Sequence, residues 1–154
     1  MNRREFIACV GGVVSWVVIR PAGAARPSLS EAVSAFTGGA TAQTGRVVLD
    51  IPPLVENGNS VGVTVDVESA MTTDDHVKHI AIFNEKNPQA DVAVFYLGPR
   101  SGRAHVSTRI RLSAAQTVMV VAELSDGTYW SAAANVIVTI AACVEHVSED
   151  GSGA

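Results

Sequence analysis

The side chains best suited to covalent or metal chemistry in this chain are Cys9, Cys143, His76, His79, His105 and His146. A thiol acts as a nucleophile in its thiolate form, and its neighbours set how readily that form appears. Cys9 falls in an N-terminal segment whose pattern marks it for removal. The mature chain is therefore expected to hold one cysteine, Cys143, with no internal disulfide partner. A solitary thiol in an oxidising compartment is either a working or intermolecularly paired group, or a buried small hydrophobe. Position favours the first. Cys143 stands three residues past Ile140, the end of the last apolar-periodic segment, behind the small pair Ala141-Ala142. At roughly 3.3 Å per extended residue, the thiol would sit about 10 Å beyond the sheet edge. That geometry suits a carrier whose cysteine takes a covalent adduct and presents it to other proteins. A protonated His146 would favour the thiolate, whereas Glu145, Glu149 and Asp150 oppose ionisation, so a partner would have to supply positive charge.

Cys143-x-x-His146 also has the spacing of a metal pair. A copper site built on a β-sandwich needs a cysteine, two histidines and often a methionine. No methionine follows His146 and no second histidine is in evident reach, so copper or zinc is the weaker reading. His76 and His79, three apart on a strand, point to opposite faces. Asp74-Asp75 are adjacent and point apart, which suits turn solvation. Neither a Gly-x-Ser-x-Gly nucleophile turn nor a phosphate-cradling Gly-rich loop ending in lysine occurs. Arg103, Arg109 and Arg111, with Arg100 nearby, form a basic strand face that suits an anion or, better, an acidic partner surface.

The elements that position these groups follow an export signal. Arg3-Arg4-Glu5-Phe6, the apolar run 7–19 and the small residues around Ala24 read as a twin-arginine signal peptide over 1–24, with periplasmic export expected. The run is shorter than the roughly 20 residues that span a bilayer. Without 1–24, 8 basic and 14 acidic residues remain, a poor balance for nucleic acid or an anionic membrane surface. The chain has 154 residues, 47% of them apolar and 5% aromatic, enough for one domain with a core of small side chains. No internal repeat interrupts it.

Ser28 and Glu31 make a capping box for a short helix whose Leu29, Val33 and Phe36 share a face, and Gly38-Gly39 ends it. From Gly45 the period becomes two. Strands are expected at 47–51, 61–67, 77–85, 92–97, 105–112, 116–124 and 129–140, with Asp126-Gly127 turning a hairpin. About seven short strands and almost no helix predict an all-β, immunoglobulin-like antiparallel sandwich. The expected organisation is a signal at 1–24, helix and linker at 25–44, sandwich at 45–141, and a cysteine arm with acidic tail at 142–154.

Several ordered segments carry a resemblance. They are Thr37-Gly-Gly-Ala-Thr, Gly45-Arg-Val-Val-Leu-Asp-Ile-Pro, Glu56-Asn-Gly-Asn-Ser-Val61 and Phe83-Asn-Glu-Lys-Asn-Pro88. Leu97-Gly-Pro-Arg100, Val106-Ser-Thr-Arg-Ile-Arg-Leu112 and Asp126-Gly-Thr-Tyr-Trp130 continue the series. Together they resemble SoxY, the sulfur-carrier family of bacterial thiosulfate oxidation, over nearly the whole mature chain. The resemblance implies a heterodimer with a SoxZ-like sandwich protein in the periplasm. It also implies covalent sulfur attachment at Cys143, without a cofactor, serviced by separate Sox enzymes that load, oxidise and hydrolyse the adduct. The family's usual Gly-Gly-Cys-Gly-Gly terminus is replaced here by Ala141-Ala142-Cys143-Val144-Glu145, a bulkier and stiffer arm. The alternative function is a structural or binding subunit that carries nothing.

Overall fold

A computed structural model describes residues 25–140. The expected signal peptide, Cys143, His146 and the acidic tail lie outside these residues. The described chain forms a helix α1 (Leu29–Thr37) and nine strands. These are β1 (Gln43–Thr44), β2 (Val47–Asp50), β3 (Leu54–Asn57), β4 (Val61–Val67) and β5 (Val77–Asn84). They continue with β6 (Asp91–Tyr96), β7 (His105–Ile110), β8 (Gln116–Leu124) and β9 (Tyr129–Ile140). The larger sheet runs β1-β9-β8-β5-β6, with β3 also paired to β9, and the smaller runs β2-β4-β7. The chain is an all-β sandwich with one short helix, as the alternating pattern predicts.

Alternation decides which faces meet. In β4 the side chains of Val61, Val63, Val65 and Val67 are buried while Gly62 is exposed and Thr64 and Asp66 are half-buried. They pack against Ile80, Ile82, Val118, Val120, Ala122 and Leu124 of the larger sheet. Most of these inner side chains are fully excluded from solvent. The outer face of the larger sheet carries a second, smaller cluster. There Ala81, Phe83 and Val121 are covered by Leu29, Ala32, Val33 and Phe36 of α1. The helix begins as its sequence dictates: Ser28 Oγ accepts from the Glu31 amide at 3.3 Å, and Glu31 Oε2 accepts from the Ser28 amide at 2.7 Å. It stops at Gly38, whose φ of 64° is the left-handed conformation that glycine takes without strain.

Two short strands, β1 and β3, add to the seven that alternation reveals, and both pair parallel to β9. The other pairings are antiparallel. The cause lies in β9: one edge bonds β8, and the other would leave a row of amides and carbonyls unpaired. Thr44 pairs with Ser131 near its start, and Leu54 with Ile137 near its end. At two and four residues, neither strand is long enough to display a period of its own.

Candidate functional site

The end of β9 is the place from which the chain proceeds toward Cys143, and the fold holds that end firmly. Asn57 of β3 is the register partner of Ile140, and the Thr139 hydroxyl donates to the Glu56 carbonyl at 2.9 Å. Beyond β3, the Gly58 amide donates to the Ile140 carbonyl at 2.9 Å, while the Gly58 carbonyl accepts from the Leu112 amide at 2.8 Å. One turn residue thus ties the end of β9 to the segment following β7. Next to it, the Arg109 guanidinium donates to Ser60 Oγ at 3.2 Å. Around this anchored end the surface is apolar, with Leu54 57%, Ile137 55% and Ile140 61% exposed.

A polar network braces the neighbouring loops at the same end of the sandwich. The Asn87 side chain donates to the Arg111 carbonyl at 2.7 Å and accepts from the Ser113 amide at 2.9 Å and from Gln116 Nε2 at 2.8 Å. Gln116, itself buried, accepts from the Lys86 amide at 2.7 Å. Asn84 is buried too, and its side-chain oxygen accepts from the Asn87 amide. Two loops that meet only in space are joined through one asparagine.

The other groups singled out in the sequence fall in separate places. Asp75 stands 3.9 Å from Arg46, and Asp74 offers its carbonyl to the Ser125 hydroxyl. The His76 ring meets the Thr72 carbonyl, and His105 Nδ1 lies 2.7 Å from Asp66. Arg103 is 3.7 Å from the same carboxylate, so an acidic group sits among the basic residues of the β7 face. Arg111 lies beyond β7, where it lines a small cleft with Asn84, Asn87 and Asp91. Among the described residues, no three His, Cys, Asp or Glu side chains gather closely enough to hold a metal ion. None of the described helices is long and apolar enough to cross a membrane.

One charged cluster was not visible from spacing. A bulge between Val77 and His79 sets two residues of β5 against Glu123 of β8. Lys78 Nζ and His79 Nδ1 both approach the Glu123 carboxylate at 2.6 Å. Burial pushes the Glu123 carboxyl up, but the hydrogen bonds and charges of Lys78 and His79 outweigh it and hold it below the usual range. The bond to Glu123 in turn raises Lys78 above its ordinary value. His79 also stacks edge-on against Tyr96, with ring centroids 4.8 Å apart. This cluster ties β5, β6 and β8 together beside α1.

Taken together, the described residues define a small two-sheet domain whose last strand is pinned at its end, three residues before Cys143 in the sequence. The family model described as Sulfur oxidation protein SoxY matches residues 33–143, a span that ends on Cys143. The sulfur carrier protein SoxY from Chlorobium limicola f thiosulfatophilum is 30% identical, with a TM-score of 0.61, over 73% of this chain and 97% of that one. The chain belongs to the SoxY family. The superoxide reductase (neelaredoxin) from Ignicoccus hospitalis shares the fold alone, at 12% identity and a TM-score of 0.56 over 61% of this chain and 80% of that one. No curated protein matches the chain significantly.

Proposed function

We propose that this SoxY-family chain carries sulfur covalently on Cys143 and presents it to separate enzymes, without being a catalyst itself. The observation that carries this reading is the coincidence of the family match, which runs to Cys143, with a β9 strand anchored up to Ile140. A firm root and a short reach suit delivery of the sulfur atom to a partner's active site. In the loading step, the Cys143 sulfur joins the outer sulfur of thiosulfate. The thiol loses its proton, and a pair of electrons passes to an acceptor in the loading enzyme. Hydrolysis then adds water across the bond to the sulfonate group, releasing sulfate and leaving a persulfide on Cys143. We assign the protein to the periplasm by way of the twin-arginine signal, working as a heterodimer with a SoxZ-like sandwich.

The competing reading, a subunit that carries nothing, draws on Ala141-Ala142-Cys143-Val144-Glu145 standing where the family has glycines. Mass spectrometry of the protein purified from thiosulfate-grown cells separates the two. Thiosulfonate or persulfide adducts on Cys143 support carriage, and a uniformly bare or simply dimerised thiol with partner binding intact supports the subunit. Cys143→Ser is expected to abolish every adduct while leaving fold and partner binding unchanged. Loss of partner binding in that variant would make the cysteine structural.

A further inference from the structure

We infer that the free edge of β7 binds an extended, acid-bearing segment of another protein by strand addition, with a carboxylate set against Arg109. This surface is separate from the carrier reading above and stands or falls without it.

The edge is open. β7 is an end strand of the smaller sheet, and among the described residues it pairs with β4 alone. The Val67 amide donates to the Ala104 carbonyl at 2.9 Å, and the Leu112 amide to the Gly58 carbonyl at 2.8 Å. The backbone of an antiparallel strand turns its hydrogen-bonding groups to alternate sides, so the even-numbered residues of β7 face β4. His105, Ser107 and Arg109 turn their amides and carbonyls to the unpaired side. All three are exposed, and Val106 among them is only half-buried. Such a row is a template for strand addition, in which main-chain bonds give affinity and side chains give selectivity.

The row is ordered before anything arrives. The side chains of these three residues lie on the outer face of the smaller sheet, and each is held from the β4 side. His105 Nδ1 lies 2.7 Å from Asp66, the Ser107 and Thr64 hydroxyls are 3.2 Å apart, and Arg109 donates to Ser60 Oγ at 3.2 Å. Docking therefore immobilises little on this side of the contact.

Charge selects the occupant. Beyond position 24 the chain has 8 basic residues against 14 acidic ones, yet Arg100, Arg103, Arg109 and Arg111 fall in one stretch, and no Asp or Glu occurs from 92 to 122. Asp66 stands by Arg103 and His105, and Asp91 shares a cleft with Arg111. Among the described residues Arg109 takes part in no ion pair. Pairing two β7 edges about Ser107 would set each Arg109 opposite His105, gaining the main-chain bonds without a carboxylate. A foreign strand with an acid at that place gains both, and hydroxyl residues suit the places opposite Ser107 and His105. Its alternate residues point inward past Val106, which packs against the core, so they are apolar. The occupant thus reads acid, apolar, hydroxyl, apolar, hydroxyl.

The test uses the isotope-labelled mature chain and the peptide acetyl-Glu-Val-Thr-Val-Thr-Gly-Glu-amide as probe, followed by NMR. Binding should slow amide exchange at His105, Ser107 and Arg109 and leave the β4 amides unchanged. Arg109→Thr, at an exposed strand position, should weaken binding about threefold to fivefold. N-methylation of the two peptide threonines, whose amides face β7, should weaken it about tenfold or more. N-methylation of the two valines, whose amides face away, should leave it within about twofold.

Binding that leaves the three amides unprotected, or that suffers equally from either methylation, would reduce the edge to an ionic patch and overturn strand addition. Wild-type affinity for a peptide with lysine at both acidic places would overturn the charge rule. Absence of saturable binding at millimolar peptide would overturn the site. Protection of the same amides in concentrated protein without peptide would assign the edge to a second copy. None of these outcomes bears on adduct formation at Cys143, which is read separately by mass spectrometry.

Discussion

Asn87 offers the sharpest test of how the loops at the β9 end are held. Asn87→Ala removes one side-chain donor and an acceptor shared by two donors, all within 2.9 Å of their partners. Each such bond contributes about 1 kcal/mol net, so about 3 kcal/mol is the ceiling. Two relaxations reduce this. Water reaches the Arg111 carbonyl at an exposed residue, and Gln116 Nε2 retains the Ala114 carbonyl at 3.2 Å. The expected loss is therefore about 2 kcal/mol, which lowers a urea midpoint by about 1.3 M at a slope of about 1.5 kcal/mol/M. Asn87→Asp keeps the acceptor and loses only the donor to Arg111, so its loss should be about 1 kcal/mol. Equilibrium urea unfolding followed by tryptophan fluorescence, with an unchanged slope, reads both values. If Asn87→Ala stays within about 0.5 kcal/mol of wild type, water already satisfies these groups and the network is not a brace.

Two further outcomes follow from the same structure. Ser28→Ala should weaken α1 by about 1 kcal/mol through loss of the capping box, seen as about fivefold faster amide exchange in Val33–Thr37 with the sheet amides unchanged. Glu123→Gln should cost about 1–2 kcal/mol at pH 7, below the usual range for charged hydrogen bonds because Lys78 is 41% exposed. Its lowered carboxyl stabilises the fold above the ordinary carboxylate pKa, and this is lost as pH falls through the lower folded value. The raised Lys78 acts in the opposite direction, its contribution fading only as pH climbs through its elevated folded value. Urea midpoints of wild type and Glu123→Gln should therefore differ at pH 7 and draw together as pH falls through the lowered folded value.

The alternating segments were legible residue by residue. Val61–Val67, Gln116–Leu124 and Tyr129–Ile140 form strands with the bounds their patterns predict, and Asp126-Gly127 turns the hairpin between the last two. Ser28, Glu31 and Gly38 delimit the helix as their chemistry requires. These are local properties: a period of two states which face is dry, and a cap satisfies amides within its own turn.

Other features needed the folded chain. Leu54-Val55, between a proline pair and Asn57-Gly58, fall outside every strand the alternation predicts, yet they form β3 on the edge of β9 that β8 leaves open. The twin approach of Lys78 and His79 to Glu123 depends on a bulge that no spacing rule places. Leu54 and Ile137, 83 residues apart, become neighbours only when β3 pairs along the edge of β9. The sequence alone determined the sandwich and its family, and it sets the Cys143 thiol three residues past the last strand. The tertiary structure decided what surrounds the root of that thiol, since pairing between distant segments is set by unpaired edges and loop contacts that leave no periodic trace in either segment.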